Sequence, residues 1–270
     1  MARFFRILPP LAAMLLLTGC AVFKSNDLSD AVTTSKVLRV GTVNNAPPLA
    51  YARDNTITGL EPLFAAGLAN SMNRRLELVN VPREGLLPAL RDKKIDIIMA
   101  GMTVAEAQRH KLATTAPYLS SGQTTLVRLG DYNRLGNGIR HLTEPSIRLG
   151  VIAGSAADTW LKGLRPRGTV SRFATAQEGV RSLMQGGIDV FISNQTANYY
   201  YASLYIDQGL TPGNILLTRE ALAWAVRPDD NGLRTAANNY LTAIKQSGEL
   251  QKMLDQTIPF YHNTAYSPAQ

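Results

Sequence analysis

Past Gly101 the chain runs Met102-Thr103-Val104-Ala105-Glu106-Ala107-Gln108-Arg109. A hydroxyl, an amide and a guanidinium stand close together there, groups that hold a polar ligand rather than cut one. The apolar run Ile95–Ala100 before Gly101 predicts a buried parallel strand. Val104 to about Lys111 predicts the helix that follows. Open α/β sheets hold ligands at the carboxyl end of a strand that feeds a helix. Met102, Thr103, Gln108 and Arg109 are therefore the first candidates, against the plainer reading of one more βα unit with a solvated helix. Catalytic chemistry has less to stand on. The three histidines, His110, His141 and His262, lack metal-ligand spacing, and the chain has no Gly-x-Ser-x-Gly. Glu61 could serve as an acid, but it also reads as an ordinary residue of a helix's first turn.

The 270 residues, 45% hydrophobic, suffice for one large domain or two modest ones with true cores. The first nineteen read as a signal peptide. Arg3 and Arg6 form its basic region, Leu8–Leu17 an apolar stretch too short to span a bilayer, and Leu17-Thr18-Gly19-Cys20 the end. Leu-Thr-Gly-Cys resembles a lipobox, after which Cys20 becomes a diacylated N-terminus; two acyl chains anchor stably where one does not. Cys20 is the only cysteine, so the mature chain is expected to be held by packing without a disulfide. Residues 20–36 read as a lipidated tether. Ala21, rather than Asp, after the cysteine favours the outer membrane in a two-membrane cell. The expected location is the periplasmic side of the envelope.

Removing Arg3 and Arg6 leaves 26 Lys+Arg against 20 Asp+Glu, a net charge of +6. The cations are scattered and no basic run is interleaved with aromatics, so nucleic acid is not an expected partner.

Taken in order, the pattern is βαβαβ. Strands are predicted at Val37–Thr42, Leu76–Val79 and Ile95–Ala100, and helices at Leu60–Asn73 and Leu86–Leu90. Asn44–Tyr51 reads as a loop because of Pro47-Pro48. A second alternation follows: strands at Arg148–Ile152, Val170–Phe173 and Ile188–Ile192, with helices from Ala156 to Leu164, over Ala176–Gln185 and over Thr196–Tyr205. Leu90-x4-Ile95-Asp96 resembles Leu183-x4-Ile188-Asp189. Further strands are predicted at Thr124–Arg128 and Leu222–Arg227, and closing helices at Leu233–Ser247 and Glu249–Gln256, the last packing back on the first unit. The fold class is α/β, two lobes of mostly parallel sheet with right-handed crossovers and a cleft between them.

Several segments, in this order, resemble the extracellular solute-binding proteins of polar amino-acid transporters, family 3. They are Pro47-Pro48-Leu49-Ala50-Tyr51, Thr58-Gly59-Leu60-Glu61, Lys94-Ile95-Asp96-Ile97-Ile98, Gly101-Met102-Thr103, Ala116-Pro117-Tyr118, Gly186-Gly187-Ile188-Asp189-Val190 and Ala225-Val226-Arg227. The resemblance covers about Leu38 to Thr257. It implies a type II periplasmic-binding-protein fold with lobe 1 formed by 37–124 and 227–262, lobe 2 by 128–222, and a two-strand hinge that closes on a ligand. The implied ligand-binding positions are Tyr51, Glu61, Thr103, Gln108, Ser155 and Asn194. The implied partner is a small polar ligand, with an ABC permease or another envelope protein beyond it. No cofactor is implied.

The resemblance also implies an arginine for a ligand's α-carboxylate and an aspartate for its α-ammonium. Counted along the chain, these positions hold Gln108 and Asn194, and the companion hydroxyl is Ala105. Neutral amides make weaker bonds than charges, so the expected ligand is not a standard free α-amino acid. Hydroxylated or amide-bearing molecules, such as a sugar or cell-wall fragment, fit better. The same scaffold serves periplasmic dehydratases and regulatory modules of lytic transglycosylases, so a catalytic or partner-binding accessory role is the alternative. Tyr199, Tyr200, Tyr201 and Tyr205 could then form an aromatic patch, although packing of some against a sheet is the simpler expectation.

Overall fold

The computed structural model describes residues 36–260; Cys20, the tether and His262 lie outside them. In chain order the strands are β1 Val37–Thr42, β2 Asn45–Ala46, β3 Ala50–Arg53, β4 Thr56–Thr58, β5 Arg75–Asn80, β6 Ile97–Ile98, β7 Ala113–Thr114, β8 Leu119–Ser121, β9 Gln123–Arg128, β10 Leu149–Ile152, β11 Val170–Phe173, β12 Val190–Asn194, β13 Leu210–Pro212, β14 Glu220–Leu222 and β15 Ala225–Val226. The helices are α1 Leu60–Ser71, α2 Leu86–Arg91, α3 Val104–Arg109, α4 Tyr132–Leu135, α5 Ala156–Leu164, α6 Ala176–Met184, α7 Gln195–Leu204, α8 Asn231–Gln246 and α9 Glu249–Thr257.

Two five-stranded sheets repeat one plan, β5-β1-β6-β15-β7 and β11-β10-β12-β9-β13. In each, three parallel strands are followed by an antiparallel fourth, β15 or β9. The strands β8 and β14 pair antiparallel as a separate two-stranded ribbon. Apart from end shifts of one or two residues, such as β12 at Val190–Asn194 where Ile188–Ile192 is predicted, three expectations change. Asn44–Tyr51 is not a bare loop, since Pro47 and Pro48 occupy the turn of a β2–β3 hairpin. The strand predicted over Ile95–Ala100 narrows to Ile97–Ile98. The strand predicted over Leu222–Arg227 breaks because the Ala223 amide donates to Met102 O and the Trp224 amide to Thr115 Oγ1.

The Ile-Asp similarity has a physical cause. Asp96 accepts from the Arg39 amide (3.0 Å), Nε (3.1 Å) and Nη2 (2.7 Å). Asp189 accepts the same three from Arg148, at 3.0, 3.0 and 2.6 Å. A second arginine leaves the antiparallel strand of each sheet. Arg227 Nη1 donates to the carbonyls of Leu90 and Ile95, Arg128 Nη1 to those of Leu183 and Ile188. Each of these arginines also pairs with an acid three residues on, Asp230 or Asp131. Glycine recurs in the strand behind: a Cβ on Gly41 would stand 2.2 Å from Ile95 Cδ1, and one on Gly150 2.4 Å from Ile188 Cδ1. Each lobe thus fastens its third parallel strand with a forked carboxylate and packs it against a bare backbone.

Both faces of each sheet are covered. Phe64 and Leu68 of α1, Tyr240 and Leu241 of α8 and Leu250 and Leu254 of α9 share one core with Trp224. The last helix therefore packs on the first lobe, where the sequence puts it. Leu86, Leu90 and Ala107 from α2 and α3 fill the opposite face.

The Arg148 fork holds Asp189 down to about 2, against the opposing effect of burial. A depressed carboxylate stabilises the fold above its unfolded value near 3.9 and loses that contribution as pH falls through the folded one. Asp189→Asn is expected to cost about 2 kcal/mol at pH 7. In urea titrations the gap to the parent protein should close between about pH 4 and pH 2; a gap constant over that range contradicts this assignment.

Candidate functional site

The site begins with helix starts, because three predicted residues are N-caps. Thr103 Oγ1 accepts from the Glu106 amide at 3.0 Å and opens α3. Ser155 Oγ accepts from the Asp158 amide at 3.2 Å and opens α5. Each hydroxyl accepts at the cap and keeps its own proton for donation. The Ser155 turn is fixed from beneath. Asp158 is 1% exposed, accepts from the Gly154 amide and is paired with Arg172 and Lys162. Burial would raise its carboxyl, and these partners outweigh that and hold it low.

Asn194 opens α7. Its Oδ1 accepts from the Thr196 amide (3.1 Å), Thr196 Oγ1 (2.7 Å) and Ser121 Oγ (3.2 Å). The backbone donor fixes the orientation of the amide, so its NH2 is the end left to meet a ligand. Thr103, Ser155 and Asn194 all lie at the carboxyl ends of parallel strands, where a ligand is expected.

Gln108 is exposed on α3, with exposed Arg109 beside it and exposed Ala105 one turn before. Glu61 is not open to a ligand. It is 1% exposed, and its carboxylate accepts from the Gly101 amide (2.7 Å), Tyr118 Oη (2.6 Å) and Trp224 Nε1 (2.9 Å). Burial without a cation pushes it up to about 7, against the three bonds.

Tyr51 alone of the six lines a cleft of about 640 Å³, a size suited to a small ligand. Asn44, Asn45, Pro47, Ala52 and Arg53 join it from the β2–β3 region, and Gln177, Tyr200 and Leu204 face them from α6 and α7. Its ring lies 5.5 Å from that of Tyr200, tilted by 57°. Sequence reasoning missed Asn44, Asn45 and Gln177, and named Tyr200 only within a possible aromatic patch. The tyrosine run was a signal for the last of these: Tyr199 and Tyr201 are buried, while half-buried Tyr200 turns to Tyr51. Among the described residues, no carboxylate lines the cleft. Of the two described histidines, His110 is half-buried after α3, and His141 Nδ1 pairs with Glu144 Oε1 at 2.7 Å.

Residues 38–259 match the bacterial extracellular solute-binding proteins, family 3. The chain is 24% identical to the L-cystine-binding protein TcyJ of Escherichia coli, over 90% of this chain and 91% of that one. It is 22% identical to the ABC transporter arginine-binding protein 1 of E. coli, over 84% and 93%. It is also 26% identical to the membrane-bound lytic murein transglycosylase F of Photobacterium profundum, over 92% of this chain but 49% of the relative. Among solved structures it resembles the ancestral amino acid-binding protein AncCDT-1, a precursor of cyclohexadienyl dehydratase. That match has a TM-score of 0.73 at 26% identity, over 85% of this chain and 98% of the other. An ancestral arginine-binding protein bound to arginine matches at 0.70 and 25%, over 82% and 97%. The two sheets of one plan, the ribbon of β8 and β14 and this match over nearly all described residues agree: the chain belongs to the bacterial extracellular solute-binding proteins, family 3.

Proposed function

We propose that the protein captures a small, neutral, oxygen-rich ligand between its lobes, for transport or sensing. The observation that carries this is the saturation of Asn194 Oδ1 by three donors. An α-ammonium needs an acceptor, and this amide offers N–H groups instead. The Tyr51 cleft adds amides, two phenols and one cation, Arg53, itself beside Asp54 at 3.7 Å. Tyr200 lies six residues beyond Asn194, about 9 Å along α7. Ring hydroxyls or amides would satisfy such a surface, and an apolar sugar face would pack on the tyrosines. The ligand is therefore read as saccharide- or amide-like, not as a standard free α-amino acid.

A second reading is favoured by the transglycosylase relative, of which this chain spans about half. In that reading the two lobes form an accessory or regulatory module that meets a cell-wall fragment or envelope partner. In both readings Cys20 is the lipid anchor, with the outer membrane favoured in a two-membrane cell. Among the described residues no helix is long and apolar enough to cross a membrane.

Isothermal calorimetry with the twenty common amino acids and a panel of neutral and N-acetylated saccharides tests the ligand class. Binding is expected only among the saccharides; micromolar affinity for any one amino acid contradicts the proposal. For the anchor, Cys20→Ser is expected to move the protein from the membrane fraction to the soluble one, and unchanged partition would sink that part.

A further inference from the structure

Glu61 is placed as no ligand-binding residue would be. It stands in the first turn of α1 and joins three separated segments. Gly101 begins the turn that carries Thr103. Tyr118 immediately precedes β8, and its amide donates to Leu222 O. Trp224 stands between β14 and β15, where the returning strand re-enters the first sheet. Thr103 itself bridges to Leu222 of β14. One carboxylate thus ties a turn at the ligand end of the sheet to the first-lobe roots of both crossing strands.

We infer that Glu61 is a proton-operated positioning residue: its carboxylate holds the Gly101–Thr103 turn and the roots of β8 and β14 as one unit, and taking up a proton loosens that unit. The reason lies in the partners. The Gly101 amide and the Trp224 indole can only donate, whereas the Tyr118 hydroxyl can donate or accept. A proton arriving from water must sit on one carboxylate oxygen and be donated onward. Of the three partners only Tyr118 can receive it, so the Tyr118–Glu61 bond reverses its direction. The bonds from Gly101 and Trp224 then lose the charge that strengthens them.

Among the described residues, the neighbours of Glu61 leave this proton to it. Phe64 of α1 packs edge-on to Tyr118 and Trp224. Tyr240 of α8 stacks on Trp224, and burial followed by nearby Glu249 of α9 raises its phenol to about 12, so it stays neutral. Lys245 of α8 donates to Pro117 O. Gly101 to Thr103 carry no titratable side chain. Among the described residues, burial and the hydrogen bonds from Tyr118, Gly101 and Trp224 set the Glu61 equilibrium, whose midpoint near 7 falls within reach of ordinary solution conditions. A raised carboxyl favours the folded state at low pH, and that contribution is lost as pH rises through 7. Ionisation thus tightens the network at some cost to overall stability.

Trp224 reports on this directly, since the chain has one other tryptophan, Trp160. In the full chain carrying Trp160→Phe, fluorescence between pH 5 and 9 is expected to show one transition near 7. Glu61→Gln should abolish it, and Tyr118→Phe, which deletes a bond favouring the ionised form, should move it upward. Amide exchange at Gly101–Thr103 and Leu119–Ser121, corrected for intrinsic rate, should be faster below the midpoint than above it. No transition, a transition that persists in Glu61→Gln, an unmoved or lowered midpoint in Tyr118→Phe, or exchange equal on both sides each overturns the inference. The Tyr118→Phe arm decides the matter if Glu61→Gln does not fold. None of these readouts requires the ligand.

Discussion

A carboxylate sealed in an apolar core without a cation persists only if donors surround it. At Glu61 the donors come from three distant parts of the chain, and each is thereby fixed. The Gly101 amide sets the turn after β6, and that turn sets Thr103 as the cap of α3. Tyr118 and Trp224 set where the chain leaves the first sheet and where it returns. The rings of Tyr118, Trp224 and Tyr240 of α8 then stack into a wall against which Phe64 of α1 packs. Replacing this carboxylate would disturb the candidate site and the crossing strands together.

The two lobes are solved in the same way around this junction. In each, an arginine forks the Ile-Asp aspartate, and a second arginine on the antiparallel strand takes two carbonyls. These clasps lie at the amino ends of β6 and β12, opposite the strand ends proposed to meet a ligand. They leave the carboxyl ends free for Thr103, Ser155 and Asn194, which act as helix caps and still hold protons to donate. In the proposed reading, fastened strand roots serve stability and polar strand tips serve recognition.

Much of the fold was legible because local patterns and long-range packing agree. The apolar stretches of β1 and β10 and the alternating residues of β5 recur between helical segments, and the repeat of Leu-x4-Ile-Asp marks corresponding strands. Its partners were not legible: Arg39 lies 57 residues from Asp96, and Arg148 41 from Asp189. The break in Leu222–Arg227 was hidden for a similar reason, since amides bonded to Met102 and Thr115 interrupt it. At the site, a single sequence shows where an arginine or aspartate is missing but not which way a side chain turns. Glu61 reads as an exposed acid at a helix start until Tyr118 and Trp224 close over it. Tyr200 is indistinguishable from Tyr199 and Tyr201 until α7 is docked.

The protein itself can report the chemistry of its ligand. Native mass spectrometry of the full chain, purified from membranes without added ligand and then gently dissociated, would weigh any molecule it carries. A neutral hydroxyl- or amide-bearing species is predicted. A free α-amino acid released in stoichiometric amount would contradict the account, because among the described residues neither Asn194 nor the lining of the Tyr51 cleft offers an anion to hold its ammonium.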